Sequence, residues 1–333
     1  MQRIGIIGGG AWGTALGLVA LRAGREPLLW AREAEVVAAI NARHENTLFL
    51  PGTALDPRLH ATGDIVEAAT RDLLLLAAPA QHLRSIVGTL APHLKTGTPV
   101  IICAKGIEEH TGALLSEAVT QTLPKAAVAL LSGPTFAAEV ASGRPTAITL
   151  AASDAALGQA LVQALGSRAF RPYYTDDVIG AQIGGAIKNV IAIACGIVLG
   201  RKLGDNARAA LITRGLAEMA RLALAKGGRA ETLMGLSGLG DLTLTCTSLQ
   251  SRNCSLGAAL GEGKRLAEIL GARRSVAEGV TSAAAAAELA QRLGVEMPIV
   301  AAVDAILHRG AAIDTAIEGL LSRPFRTETR ALS

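Results

Sequence analysis

The sequence predicts an α/β protein, with a doubly wound sheet domain over residues 1–177 followed by an all-α domain over residues 178–333. Three observations predict it. Short, nearly continuous apolar runs alternate with helical patterns in the first half, as strands buried on both faces of a parallel sheet do. A glycine-rich turn follows the first run directly and opens a helix. Beyond about Asp177 the strand-like runs cease and long Ala/Leu-rich stretches take over, so the two textures read as two domains.

Taken in order, the candidate strands are Arg3–Ile7, Pro27–Trp30, Leu73–Ala78, Pro99–Cys103, Val128–Leu131 and Ala147–Leu150. Helical patterns at Gly13–Arg22 and Gln81–Leu90 lie between some of them. In the second half Asp176 or Asp177 can cap a long helix beginning near Val178. Further helices are expected at Ala207–Ala225, Thr281–Leu293, Ile299–Leu307 and Thr315–Leu321. Pro298 suits a helix start, where its missing N–H costs nothing.

Of the 333 residues, 50% are hydrophobic and 18% charged, which is ample for two buried cores. Aromatics are only 2%, so those cores must be built from Ala, Leu, Val and Ile. The net charge is +4 with a pI near 9.0, but Lys and Arg are scattered and no basic run is interleaved with aromatics. Nucleic acid is therefore not the expected partner, and a mild positive field suits a small anionic substrate. The first apolar run is too short for a signal peptide. No stretch is expected to approach the ~20 apolar residues of a membrane span; Val190–Leu199 is short and bracketed by Lys188 and Arg201. Cys103, Cys195, Cys246 and Cys254 show no CxxC spacing and read as reduced thiols of a cytoplasmic protein, with no metal site. A homodimer is compatible with the sequence, which does not fix the oligomeric state.

The turn Gly8-Gly9-Gly10-Ala11-Trp12-Gly13 fits G-x-G-x-x-G at Gly8, Gly10 and Gly13. The first glycine allows a tight turn, the second lets backbone approach a pyrophosphate, and the third permits close helix–strand packing. The phosphates then lie over the helix N-terminus. A strand before and a helix after make this a Rossmann-type dinucleotide site rather than a bare turn. The second strand ends Trp30-Ala31-Arg32-Glu33. Arg32 is placed to accept a 2′-phosphate, which favours NADPH over NADH. Glu33 either points away or lets NADH compete, and a solvated surface arginine is the alternative for Arg32.

Lys105 follows the strand Pro99–Cys103, beyond whose carboxyl end ligands bind in open α/β sheets. It reads as an anion or carbonyl contact, or as a surface lysine. Ser132-Gly133-Pro134-Thr135 follows another strand end, as a structural turn or as a site that offers the Thr135 hydroxyl. Within the long helix, Ala181, Gly184, Gly185, Lys188 and Ala192 share a face. Small faces favour tight helix packing, yet a lysine among Ile187, Val190, Ile191 and Ile193 is costly unless paired or functional, and such a lysine suits acid–base work. Asp241, in GLGDL, is a candidate partner for it. Ser251-Arg252-Asn253 offers a fork for phosphate, or a capped turn with an exposed arginine. Glu278, in VAEGV, either caps the helix near Thr281 or meets a ribose or amide.

In this order, GGGAWGTALG, NTLFLPG, AKGIE, SGPTFAAEV, GAIKNVIAIACG, GLGDL, SRN and VAEGV make nearly the whole chain resemble bacterial NAD(P)-dependent glycerol-3-phosphate dehydrogenase. The resemblance implies reversible reduction of dihydroxyacetone phosphate to sn-glycerol 3-phosphate, for glycerophospholipid synthesis, with hydride passing from nicotinamide C4. Gly8, Gly10, Ala11, Trp12, Gly13, Arg32, Ala137, Val276 and Glu278 are then cofactor contacts, and Lys105 touches cofactor and substrate. Gly133 and Thr135 line the substrate pocket. Lys188 is implied as general acid–base with Asp241 beside it. Ser251, Arg252 and Asn253 bind substrate, and Arg252 also reaches the cofactor. Thr135 stands where the family often has Ser, which keeps the hydroxyl, and Cys254-Ser255 replaces a more usual basic residue. The sequence admits two other readings. Hydroxyacid or ketopantoate dehydrogenases of similar build should lack GLGDL followed by SRN. A non-catalytic NADPH sensor needs neither Lys188 nor Asp241.

Overall fold

The computed structural model describes residues 1–272 and 277–325. By its internal contacts the chain forms two compact units, one of residues 1–105 with 115–178 and one of residues 106–114 with the chain from Ile179 onward. A single cut after residue 177 is thus corrected at one place. The segment 106–114 leaves the sheet unit because Ile107 and Leu114 are buried in the core of the helical unit.

The first unit contains β1 (Arg3–Ile7), β2 (Glu26–Trp30), β3 (Glu45–Asn46), β4 (Leu50–Ala54), β5 (His60–Thr62), β6 (Leu73–Leu76), β7 (Pro99–Ile102), β8 (Ala127–Ser132), β9 (Thr146–Ala151) and β10 (Phe170–Thr175). Eight of these form one sheet in the order β10-β9-β8-β7-β6-β1-β2-β5, and β3 pairs with β4 separately. The order reverses at β1, with β6 on one side and β2 on the other, so this is the topological switch point where such sheets bind ligands. Because β1, β2, β6, β7 and β8 are parallel neighbours, their carboxyl ends share one edge. The turns after β1, β2, β7 and β8, which carry the glycines, Arg32, Lys105 and Gly133, leave from that edge. The pairing of β8 with β9 is antiparallel, unlike the other pairings of the eight-stranded sheet. The link between them holds only the five-residue helix Ala137–Ala141, less than the full-length crossover helix that usually returns a parallel strand.

The edge strands β5 and β10 have no counterpart among the apolar runs. A strand at an edge is covered on fewer sides, so its sequence need not be apolar, and β10 reads FRPYYT with Tyr173 exposed. Pro172 is tolerated there because an edge strand can spare a ladder N–H.

The second unit is built round the helix Val178–Gly200, in which every residue from Gly180 to Val198 is buried. A helix apolar all round belongs in a core or a membrane. The expectation that nothing approaches spanning length is overturned, since this helix has 23 residues and passes by length and composition; 89% of its most apolar window is nevertheless buried inside the protein. Around it lie Asp205–Ala225, Ala230–Leu233, Asp241–Thr247, Arg252–Gly261, Leu266–Gly271, Glu278–Arg292, Pro298–His308 and Ile313–Leu321. Glycine permits the closest of these contacts. A Cβ on Gly196 would run into the backbone of Cys254 and Ala258, and one on Gly257 or Gly261 into the carbonyls of Ile193 or Ile197. Helices Val178–Gly200 and Arg252–Gly261 therefore pack backbone to backbone.

Candidate active site

At the end of β1, Gly8 has φ +131° and its missing Cβ leaves room for the backbone of Ala77 and Ala78. A Cβ on Gly13 would strike the Gly8 carbonyl, whereas one on Gly10 would meet nothing within 4 Å. The first and third glycines are thus needed by the fold, and the second leaves an open place beside the start of helix Ala11–Arg22. That vacancy lies where the N–H groups of a first helical turn lack intrahelical partners. Among the described residues nothing packs into that place. Trp12 sits on the same turn with its indole Nε1 buried and, among the described residues, without a hydrogen-bond partner.

Arg32 extends into solvent, 77% exposed, and donates from Nε (3.1 Å) and Nη2 (2.9 Å) to Glu33 Oε1. Glu33 therefore turns towards Arg32. A pair this exposed contributes about 0–1 kcal/mol, so a 2′-phosphate can displace the carboxylate.

Three of the expected substrate residues converge within the sheet unit. Lys105 Nζ donates to the Gly133 carbonyl (3.0 Å), and the Thr135 hydroxyl donates to the same oxygen (3.2 Å). Gly133 packs against Ile148 so closely that a Cβ would lie 3.0 Å from its side chain, which holds this turn down on β9. Ala137 begins the short helix after Phe136. Near these residues burial pushes the Cys103 thiol well above its ordinary range, against the opposing effect of Lys105.

Within the helical unit Lys188 Nζ donates to Asp241 Oδ1 (2.7 Å) and to Thr245 Oγ1 (2.8 Å). The ion pair is almost solvent-free, the lysine side chain 9% and the aspartate 1% exposed. Thr245, one helical turn past Asp241, donates its own proton to the Asp241 carbonyl (2.6 Å), which leaves its oxygen to accept from the ammonium. Two acceptors thus fix one buried cation, the condition under which burying an ion pair is tolerable. Close approach depends on the glycines of GLGDL. Residues Leu236–Gly240 form a π turn, a local widening common at functional sites. A Cβ on Gly184 would strike the Ser237 carbonyl, and one on Gly238 the backbone of Leu233. Gly184 therefore admits the π turn, and Lys188, one turn further along the same face, meets the aspartate that follows it.

Ser251 is the N-cap of helix Arg252–Gly261, its hydroxyl accepting from Cys254 N (3.2 Å). Arg252 is exposed at the first helical position and Asn253 is buried. Asn253 donates from Nδ2 to Asn189 Oδ1 (2.9 Å) and accepts at Oδ1 from Gly279 N (3.0 Å). The residue beside Lys188 is thereby tied to the residue after Arg252 and to the start of helix Glu278–Arg292. That helix begins at Glu278, three residues before the expected start, with Ala277 rather than Glu278 at the cap position. Val276 lies outside the described residues. Asn189 and Thr245 are absent from the sequence-derived candidates. Thr245 carried a usable signal in its i+4 spacing from Asp241, whereas Asn189 had only its place beside Lys188.

Comparison with known proteins supplies family context. The N-terminal model of the NAD-dependent glycerol-3-phosphate dehydrogenases matches residues 3–158, and the C-terminal model residues 177–318. A glycerol-3-phosphate dehydrogenase (NAD(P)+) of Parvibaculum lavamentivorans is 59% identical over 328 residues, covering 98% of each chain. Another, of Rhodospirillum rubrum, is 60% identical over 329 residues, covering 98% of this chain and 94% of that one. The crystal structure of a glycerol-3-phosphate dehydrogenase from Coxiella burnetii has a TM-score of 0.93 at 40% identity, covering 97% of this chain and 99% of that one.

Proposed function

The chain belongs to the NAD-dependent glycerol-3-phosphate dehydrogenase family, and from that premise we propose that it reduces dihydroxyacetone phosphate reversibly to sn-glycerol 3-phosphate, with NADPH preferred to NADH. The observation that carries the proposal is the buried ammonium of Lys188, held by Asp241 and Thr245. The bound dinucleotide supplies the hydride. Reduction of a ketone also needs a proton at its oxygen, and Lys188 provides it, or takes it back in the reverse direction. Asp241 and Thr245 orient Nζ and offset the cost of keeping it charged in an apolar helix. A cationic donor fixed before the reaction stabilises the developing alkoxide without reorganising at that moment.

Binding falls to the remaining residues. Gly8, Gly10, Ala11, Trp12 and Gly13 take the diphosphate end of the dinucleotide, and Arg32 takes a 2′-phosphate. Ala137 and Glu278 are further cofactor contacts in this reading, as is Val276 by its place in the motif alone. Lys105, Gly133 and Thr135 receive the triose, and Ser251, Arg252 and Asn253 its phosphate. Arg252, a cation exposed at the first turn of its helix, is the strongest candidate for the phosphate charge. Four buried free thiols support a cytoplasmic setting, where the product enters glycerophospholipid synthesis.

The test is loss of the reduced cofactor's near-ultraviolet absorbance with dihydroxyacetone phosphate, run with NADPH and NADH in parallel and against unphosphorylated dihydroxyacetone and ketopantoate. Rapid oxidation with the triose phosphate alone, faster at low NADPH than at low NADH, is expected. No oxidation with the triose phosphate, or equal rates with the other ketones, would overturn the substrate; equal behaviour of the two cofactors would overturn the preference.

A further inference from the structure

The NTLFLPG motif contributes no side chain to the site described above, yet its first residue reaches the glycine turn. Asn46 lies at the end of β3 and is 0% exposed. Its Nδ2 donates to the Gly9 carbonyl (2.9 Å) and to Thr14 Oγ1 (2.8 Å), while Oδ1 accepts from Phe49 N (3.1 Å). A carbonyl on one side and an N–H on the other leave the carboxamide a single satisfying orientation. Thr14 continues the chain of bonds, its hydroxyl donating to the Gly10 carbonyl (3.0 Å). One side chain from the β3–β4 hairpin thus holds, directly or through Thr14, the carbonyls on both sides of Gly10.

Those carbonyls govern the opposite ends of their peptide planes. In a trans peptide the N–H points away from the preceding C=O, and the described residues contain no cis bond. Fixing the Gly9 carbonyl towards Asn46 directs the Gly10 N–H the other way, and fixing the Gly10 carbonyl does the same for the Ala11 N–H. Donors of this kind, at a helix start, bind phosphate. The Gly10 carbonyl also accepts from Thr14 N (3.0 Å), as at any helix start, but three successive glycines have the least intrinsic control over their own peptide planes, and the Gly9 plane takes its orientation from Asn46. We propose that Asn46 is a positioning residue for the dinucleotide: acting with Thr14, it holds the glycine-turn N–H groups in their diphosphate-binding orientation before the cofactor arrives.

This rests on the reading of the glycine turn as the dinucleotide site, and the experiment separates the two. NADPH and adenosine 2′-monophosphate, which lacks the diphosphate, are titrated against the full-length wild type and the variants N46D, T14V and T14S, with thermal melting as the check on folding. N46D sets a carboxylate oxygen against the Gly9 carbonyl, and T14V removes the relay. In both, the Kd for NADPH should rise about 10-fold or more, the worth of a lost hydrogen bond at each oriented donor, while that for adenosine 2′-monophosphate changes by no more than about twofold. T14S should restore wild-type affinity, and kcat at saturating cofactor should stay within about twofold of wild type in all three. If N46D does not fold, T14V and T14S decide the matter alone. Unchanged NADPH affinity in a folded variant, or equal weakening of both probes, would overturn the positioning role. Failure of the wild type to bind NADPH would instead overturn the site on which it rests.

Discussion

Lys188 places a charge at the middle of a helix whose neighbouring side chains are buried and, Asn189 apart, aliphatic, and the consequences of removing it separate stability from chemistry. Lys188→Ala leaves Asp241 buried without its cation, which should cost about 3–5 kcal/mol of stability. Adding Asp241→Asn should return part of that loss but none of the turnover. We expect turnover about 10²-fold or more below wild type in both variants, with NADPH affinity nearly unchanged; near-normal turnover would remove Lys188 from the chemistry. Thr245→Val, which keeps the shape and loses the acceptor, should lower kcat about 10-fold with little change in KM, and Thr245→Ser should recover most of it. The lysine itself was legible because a lone cation in an aliphatic helix needs an explanation. Its partnership with Thr245 was less so, since threonine in a helix is common and only the fold brings that turn to Nζ.

A second buried charge, Glu218, does different work. Its carboxylate accepts from Ile299 N (2.8 Å) and Val300 N (3.2 Å), and so caps helix Pro298–His308 from a helix distant in sequence. Burial pushes its pKa from 4.5 up to about 7, against the two backbone N–H groups, Arg221 and Arg323, which favour the charged form. Desolvation therefore wins. A carboxyl whose folded pKa is raised stabilises the fold fully below its unfolded value, and that stabilisation is lost as pH rises through about 7. The difference amounts to roughly 3 kcal/mol at most. Thermal melting across this range should therefore show wild-type stability falling relative to Glu218→Gln as pH rises. Parallel curves would show that the carboxyl titrates normally.

At the scale of elements, glycine has two duties that a sequence pattern does not separate. Gly8, Gly10 and Gly13 look alike in the motif, yet Gly13 is needed for packing and Gly10 is not. Gly10 also has φ −68° and ψ 177°, which any residue adopts. Gly10→Ala should accordingly lose no more than about 1 kcal/mol, the cost of alanine as a poorer N-cap, and still bind NADPH about 10-fold or more weakly, because its methyl enters the diphosphate's place. Gly13→Ala should lose stability by about 1–3 kcal/mol through overpacking. Melting curves and cofactor titrations of the pair check both; strong NADPH binding by Gly10→Ala would mean that the open place is not the diphosphate site. The small face of helix Val178–Gly200 raised the same ambiguity between packing and a site. Packing uses the glycines of that helix at two heights, with Gly184 admitting the π turn before Asp241 and Gly196 admitting helix Arg252–Gly261. The central strands were legible from their continuous apolar runs. Edge strands β5 and β10 were not, because a partly uncovered strand is free to be polar.

At the scale of the whole molecule the change of texture near Asp177 marked the passage from sheet to helices, but not the earlier excursion at residues 106–114. Nothing local distinguishes Ile107 and Leu114 from residues of the sheet core; only their non-local neighbours do. They form an isolated antiparallel bridge with each other, closed through positive φ at His110 and Gly112. The excursion is anchored where Arg292 Nη1 donates to the Thr111 carbonyl (3.1 Å), and a Cβ on Gly112 would displace that guanidinium. Both apolar side chains are 0% exposed within the helical core, so truncating each to Ala should cost about 2–5 kcal/mol. That cost should fall on one unit. In the double variant Ile107→Ala/Leu114→Ala, hydrogen exchange should quicken for amides of helices Val178–Gly200 and Glu278–Arg292, while strands β1, β6 and β7 keep their protection, because sub-global opening follows the cooperative unit whose core is weakened. Loss of protection in the strands with the helices spared would assign the segment to the sheet unit, as the sequence alone suggested, and equal loss in both would mean that the two units open as one.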